Sequence, residues 1–382
     1  MNTHRSAYNT NEFEDCVDVA QWSILPEGAY TSPQGVSPYA AETTVTLPVY
    51  SDMLYFLSRG PFTRGSIQFA CNGAADNVKV HIKFFYLSPD TVQHAKVCVL
   101  QRDEVNNGVG VFTSPQLEML PMGAVSCFAI SVELPEIMDE EPVQIDGLLT
   151  MMPLFSITMA DSMDFLNFRS VTLQTSNAPI HVRSLVAETA EIATLNAPID
   201  GDFTCTDSLD LLTSNGPITA NVTLTSSDPS KPAQLSMQSS NSPITAQISL
   251  VSALQGGTGS SFKTTTKTTN GPLNVSFLTA PLDSVLQFEG STSNAPASAA
   301  MHYTYEGDIY LSSGGLFAPK IMADESSQDP AGRGRQRTVQ LTSFNPANRG
   351  TLEAKVRWGA EGGRPLGSVE MSTSNSPITL TL

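Results

Sequence analysis

Four carboxylates crowd one short stretch of the sequence: Asp200, Asp202, Asp207 and Asp210. Asp200 and Asp202 lie two positions apart, so on a strand they share one face. Carboxylates stacked on a parallel β-helix can bind calcium or act as acid and base on a polysaccharide, which makes this pair the sharpest catalytic or metal candidate in the chain. The five histidines, His4, His81, His94, His181 and His302, have no metal-ligand spacing. No Gly-x-Ser-x-Gly elbow, His-Glu-x-x-His, phosphate-binding loop or Gly-x-Gly-x-x-Gly occurs, so no catalytic or cofactor motif is expected. Arg333, Arg335 and Arg337 alternate along one segment and could clamp a phosphate. Asp324, Glu325 and Asp329 beside them make a solvated, locally neutralised loop the simpler reading. Five cysteines, odd in number and never in Cys-x-x-Cys, fit neither a disulfide framework nor a zinc site and point to a reducing compartment.

The 382 residues carry 37 Asp and Glu against 20 Lys and Arg, a net charge of −17, and such a field repels phosphate, so nucleic acid is not an expected partner. With 15% charged residues, 26 glycines and 25 prolines, the composition is turn-rich and β-leaning. The first thirty residues lack a basic start followed by an apolar stretch, so the expectation is no secretory signal and a cytoplasmic location. The longest apolar run, Gly147 to Ala160, is interrupted by Pro153 and falls short of the ~20 residues of a membrane helix. It reads as a buried strand pair, and no transmembrane helix is expected. Sequons at Asn221 and Asn274 matter only if the chain is exported.

The elements that must position the aspartates emerge from an internal repeat. TSNAPI, TLNAPI, TSNGPI, SSNSPI, TTNGPL, TSNAPA and TSNSPI are copies of one motif, with asparagines at Asn177, Asn196, Asn215, Asn241, Asn270, Asn294 and Asn375. The first two intervals are equal and the later ones longer, which reads as stacked coils with loops added to the later turns. Four residues before the asparagine stand Leu173, Ile192, Leu211, Met237, Thr266, Gly290 and Met371; three after it stand Ile180, Ile199, Ile218, Ile244, Leu273, Ala297 and Ile378. Alternation continues on both sides, so each repeat is strand, Asn-x-Pro corner, strand. Asparagine closes an Asx turn and proline needs no donor where the ladder bends. The seven asparagines are therefore expected to be structural corners, able to bond along the stack. In the 19-residue alignment His181 falls over Asp200 and Arg183 over Asp202, so pairing between coils competes with catalysis as the reason for these carboxylates.

These repeats, with a late Asp-Pro-x-Gly-x-Gly-Arg segment at Asp329, Pro330, Gly332, Gly334 and Arg335, resemble those of the putative-adhesin β-solenoid family, its fungal branch in particular. The resemblance covers about 165 to 382. It implies an all-β solenoid and, by analogy, a cell-surface role; it supplies no catalytic residues, and many fungal relatives carry a transmembrane helix that this chain lacks. Residues 1–165 are β-rich without the motif, either degenerate first coils or a sandwich that caps the open end of the array. Residues 166–382 form the repeat region, with an insertion at 298–370 containing hairpin-like pairs around His302–Leu311 and Thr338–Trp358. Residues 1–12 and the loop from Ala323 to Arg337 are the expected disordered pieces. The insertion is expected to fold back over the strand after the last motif, whose edge is otherwise bare. The functional expectation is a non-enzymatic structural or interaction protein showing an extended polar β-face to a protein or glycan. The alternative is a carbohydrate-active β-helix enzyme. The sequence sets no oligomeric state.

Overall fold

A computed structural model describes residues 16–26, 28–31, 37–73, 77–119, 126–136, 143–228, 230–314, 317–323, 328–343, 350–359 and 366–382. The protein is all-β and its strands pair mostly in parallel. No helix among the described residues is long and apolar enough to cross a membrane. The chain divides into two compact units, Met1–Ala178 and Pro179–Leu382. Residues 1–12, the acidic run Asp139 to Glu141, and Asp324 and Glu325 lie outside the described residues.

The first unit holds β1 (Cys16–Val19), β2 (Ser23–Ile24), β3 (Tyr39–Pro48), β4 (Met53–Arg59), β5 (Gly65–Gly73), β6 (Asn77–Tyr86), β7 (Ala95–Gln101), β8 (Asn106–Thr113), β9 (Cys127–Pro135), β10 (Val143–Met151), β11 (Phe155–Met159) and β12 (Leu166–Gln174). They hydrogen-bond in two rows, β1-β7-β8-β4-β10-β12 and β2-β3-β6-β9-β5-β11. Each row begins antiparallel and ends parallel. The apolar run from Gly147 supplies the end of β10 and all of β11, two buried strands that lie in different rows and do not pair with each other. Inward and outward side chains alternate along β5, β11 and β12, β4 and β8 are buried on both faces, and aromatic rings fill the interior. Phe84 stacks on Phe128 at 4.4 Å, and Phe56 meets Phe69 edge-on at 5.3 Å.

Two cysteines contradict the expectation drawn from their spacing. Cys16 and Cys98, 82 residues apart, form a disulfide. Antiparallel pairing of β1 with β7 brings them together, a non-local contact that no sequence spacing reveals. Cys71, Cys127 and Cys205 are not in disulfides, and the Cys71 thiol donates to the Pro135 carbonyl. A bridge of this kind persists in oxidising surroundings, so the cysteine pattern does not support a reducing compartment.

The second unit starts with two 14-residue strands, β13 (Ile180–Ala193) and β14 (Ile199–Leu212), and continues with β15 (Ile218–Ser226), β16 (Ala233–Gln238), β17 (Ile244–Ser252), β18 (Ser261–Lys267), β19 (Leu273–Thr279), β20 (Val285–Thr292) and β21 (Ala297–Ala300). The first half of β14 pairs with β15 and its second half with β16, so the long strands serve two rows at once. One row runs β14-β15-β17-β19-β21 and the other β14-β16-β18-β20, all parallel. The aligned columns of the repeat are the observed registers. Leu211 pairs with Met237, Met237 with Thr266, and Thr266 with Gly290. Gly290 stands in this apolar column because a Cβ there would lie 2.9 Å from the Phe288 ring.

Thr264 and Thr266 occupy core columns between aliphatic and aromatic neighbours; both are fully buried, and neither hydroxyl has a hydrogen-bond partner. A buried unsatisfied hydroxyl costs free energy that a methyl group does not. Thr264→Val is therefore expected to stabilise the chain by about 1 kcal/mol, read as a higher denaturant midpoint with an unchanged slope.

The chain then adds β22 (Gly307–Ser312), β23 (Lys320–Met322), β24 (Arg337–Ser343), β25 (Thr351–Trp358), β26 (Gly367–Thr373) and β27 (Ile378–Thr381). Spatial order departs from chain order here. β26 lies between β20 and β22, and β27 lies between β21 and β23. The insertion therefore does cover the final coil. β24 and β25 form the expected hairpin, but the stretch from His302 makes none of its own: β22 pairs with β25 instead.

The loop expected to be disordered is, over its described part, a built turn. Asp329 accepts the backbone N–H groups of Ala331, Arg333 and Arg335 and the guanidinium of Arg335, which also bonds the Trp358 carbonyl. The Arg335 bond, first among these contacts, holds the Asp329 carboxyl well below the usual carboxylate range. The third arginine, Arg337, stacks on Trp358. The arginines thus do not converge as a phosphate clamp: Arg335 closes the turn and Arg337 covers an aromatic ring.

Candidate functional site

Each corner of the second unit is built by four residues of the motif. Asn215, Asn241, Asn270, Asn294 and Asn375 each donate Nδ2–H to Oδ1 of the asparagine one coil earlier, starting at Asn196, at 2.6–2.8 Å. Asn177 stands at the end of the first unit, where its N–H bonds the Pro153 carbonyl. The proline carbonyl of one corner accepts the N–H that opens the earlier coil's second strand, as Pro243 does from Ile218 and Pro272 from Ile244. Two residues before the asparagine sits a buried hydroxyl that the sequence reading left without a role. The Oγ1 of Thr213 and of Thr268 accepts the N–H of Gly216 and Gly271, and that of Thr268 donates to the Ser242 carbonyl of the preceding coil. The buried hydroxyl thus satisfies a backbone N–H of its own corner and, at Thr268, a carbonyl of the coil before, which explains Ser or Thr at that place.

Removing one rung tests the ladder. Asn241→Ala deletes the bonds to Asn215 and Asn270, but both partners are exposed and water replaces it. The expected loss is about 1 kcal/mol of unfolding free energy, measured by chemical denaturation.

The four aspartates do not form one cluster, because β14 carries them into different rows. Asp200 meets His181 Nδ1 at 2.6 Å, as the 19-residue register implied. At Arg183 the register shifts between Val182 and Leu185, and the Asp202 carboxylate accepts Asn221 Nδ2–H at 2.7 Å. Asp207 pairs with Lys231 at 2.6 Å. Asp210 faces Ser236, and burial raises its pKa. Around the first pair the outward face is polar. One line across it reads His181, Asp200, Thr219, Thr245, Asn274, Ser298, Thr379, with each residue opposite the next on a neighbouring strand.

Sequence reasoning passed over His81, which lacks any motif. It lies on the outward face of β6, hydrogen-bonded through Nδ1 to Thr44 Oγ1 at 3.1 Å, with Nε2 3.5 Å from Glu133. It borders a trough of about 480 Å³ on β3, β6, β9 and β5.

His302 is a buried histidine, 3% exposed, hydrogen-bonded to Thr304 and set edge-on to Tyr305. Burial, with Arg337 nearby, pushes its pKa down to about 3. The folded state thus holds it neutral while the unfolded chain takes a proton below about pH 6.5. Its contribution is fully present above that pH and is lost on acidification toward 3, at roughly 1.4 kcal/mol per pH unit. Between pH 7 and 5 the wild-type chain is expected to lose about 2 kcal/mol more than His302→Gln, measured by denaturant titration at each pH.

No family model matches the chain, and no curated protein matches it. Among solved structures, a putative cell adhesion protein from Clostridium sporogenes aligns over 90% of this chain and 99% of that chain, at 8% identity and a TM-score of 0.18. A superposition that loose carries no argument about this chain.

Proposed function

We propose that the chain is a β-solenoid interaction protein, adhesin-like and non-enzymatic, that presents its outward polar face to a protein or glycan partner. The observation that carries this reading is the line of polar side chains across seven parallel strands, from β13 to β27, whose last five members, Thr219, Thr245, Asn274, Ser298 and Thr379, are hydroxyls and an amide. Stacked coils make long continuous surfaces, and such surfaces suit extended partners. The polysaccharide-active alternative needs Asp200 and Asp202 free to act in a groove. Their engagement with His181 and Asn221 favours the scaffold instead.

The test has two arms. Retention of the purified chain on insoluble chitin, on β-glucan or on immobilised extracellular-matrix protein should fall when Thr219→Trp and Thr245→Trp interrupt the face. Incubation with polygalacturonate and soluble β-glucan should release no reducing ends above the Asp200→Asn, Asp202→Asn control. Turnover that disappears in that control would establish the enzyme and end the scaffold reading.

A further inference from the structure

The trough bordered by His81 is a second polar surface, on a different unit from the line of hydroxyls. Its outward positions follow from the register. Thr44 lies opposite His81, His81 opposite Ser131, and Ser131 opposite Gln68; in the next line Glu42 lies opposite Lys83, Lys83 opposite Ala129, and Ala129 opposite Ser66. The short side chains Ser66, Ala129 and Ser131 sit together on β5 and β9 and make the floor. Longer ones, including Glu42, Lys83, His81 and Gln68, rise around it. The resulting volume, about 480 Å³, falls within the range of small-ligand sites.

Chemistry narrows the occupant. Glu42 faces Lys83, and Glu133 lies 3.5 Å from His81, so the trough gathers neither a cluster of cations for an anion nor, among the described residues, a group of ligands for a metal ion. The hydroxyl, amide and carboxylate groups between them both donate and accept. β2 pairs with β3 only at Ala41 and Glu42, so the β3 rim keeps an open edge, whereas β5, β6 and β9 are paired on both sides where they form the floor, which therefore offers no backbone edge to a peptide strand. Nor do the lining residues include an aromatic or an exposed apolar anchor of the kind that centres protein interfaces. A neutral ligand dense in hydroxyl groups satisfies every one of these conditions.

We infer that this trough is a binding subsite for a neutral oligosaccharide, seated over Ser131 and hydrogen-bonded by Gln68, Thr44 and the His81–Glu133 pair. The inference deepens the interaction reading above by naming a ligand class and a place for it, and it rests on that reading. Titration calorimetry of the full chain with chitohexaose, laminarihexaose and mannohexaose tests it. At least one of the three should bind, with an affinity that changes little between low and high salt. Ser131→Trp, at an exposed position, should fill the floor and weaken binding by more than about tenfold, and Gln68→Ala should weaken it without filling the trough. Thr219→Trp and Thr245→Trp should leave it unchanged. Absence of binding by all three sugars would overturn the subsite, as would binding indifferent to both Ser131→Trp and Gln68→Ala. Binding abolished by salt would overturn it in favour of a charged partner. Binding lost in the Thr219 and Thr245 variants alone would overturn the trough while leaving the wider interaction reading in place.

Discussion

Replacing Ile218 with aspartate is expected to unfold the second unit under conditions where the wild-type chain is fully native. Ile218 is wholly buried, sits between Ile199 and Ile244 on the adjoining strands, and starts β15 immediately after a corner. A carboxylate there would lose its hydration with no partner in reach, since the inward neighbours are aliphatic. The cost of an unpaired buried charge is several kcal/mol, a large share of the stability of an ordinary domain. In a stacked array each coil rests on its neighbours, so the damage spreads beyond one strand. Thr245→Asp supplies the control: it lies on β17 one residue along from Ile244, points outward and is exposed. Circular-dichroism melting should separate the two variants widely. Equal melting of Ile218→Asp and wild type would mean that the aliphatic columns are not the core.

The columns were legible because they are local. The asparagine fixes the phase of each repeat, alternation fixes the face, and equal offsets from the asparagine fix the register between coils, so the pairing of Leu209 with Leu235 and of Ile244 with Leu273 follows from counting. The first-unit strands were legible from composition instead. Aromatic and β-branched enrichment bounded by Gly, Pro, Asn or Asp marks Ser66 to Ala70, Val78 to Leu87, Ala95 to Gln101 and Ser126 to Leu134 as strands, and they fall on β5, β6, β7 and β9. What failed was non-local. The Cys16–Cys98 bridge depends on an antiparallel pairing across 82 residues, and the trough depends on four strands whose order in space, β3-β6-β9-β5, differs from their order in the chain. His81 gave no signal at all, because its neighbours Thr44 and Glu133 are far away in sequence. The aspartate cluster failed differently. A run of acidic residues looks like one site only if the strand is straight, and β14 serves two rows.

Removing residues 374–382 is expected to do damage out of proportion to its length, because the segment is an interior coil. β27 fills a slot between β21 and β23, with Ile378 and Leu380 fully buried. Without it, β21 and β23 face each other across a gap of about two strand spacings, roughly 9–10 Å, too wide for hydrogen bonds and lined by apolar side chains. Two bare edges of that kind recruit strands from other molecules. The truncated chain should therefore bind a hydrophobic dye, scatter light on concentration, and lose amide protection at Ala297–Ala300 and Lys320–Met322. Adding the peptide 374–382 in excess should restore that protection, since the slot has a defined register: Ala297 opposite Ile378 and Lys320 opposite Thr379. Unchanged solubility together with unchanged exchange at both strands would show that the slot does not exist and that β21 is itself the end of the stack. Rescue by the peptide would show that this coil inserts between two that stand without it, a strand entering a preformed groove.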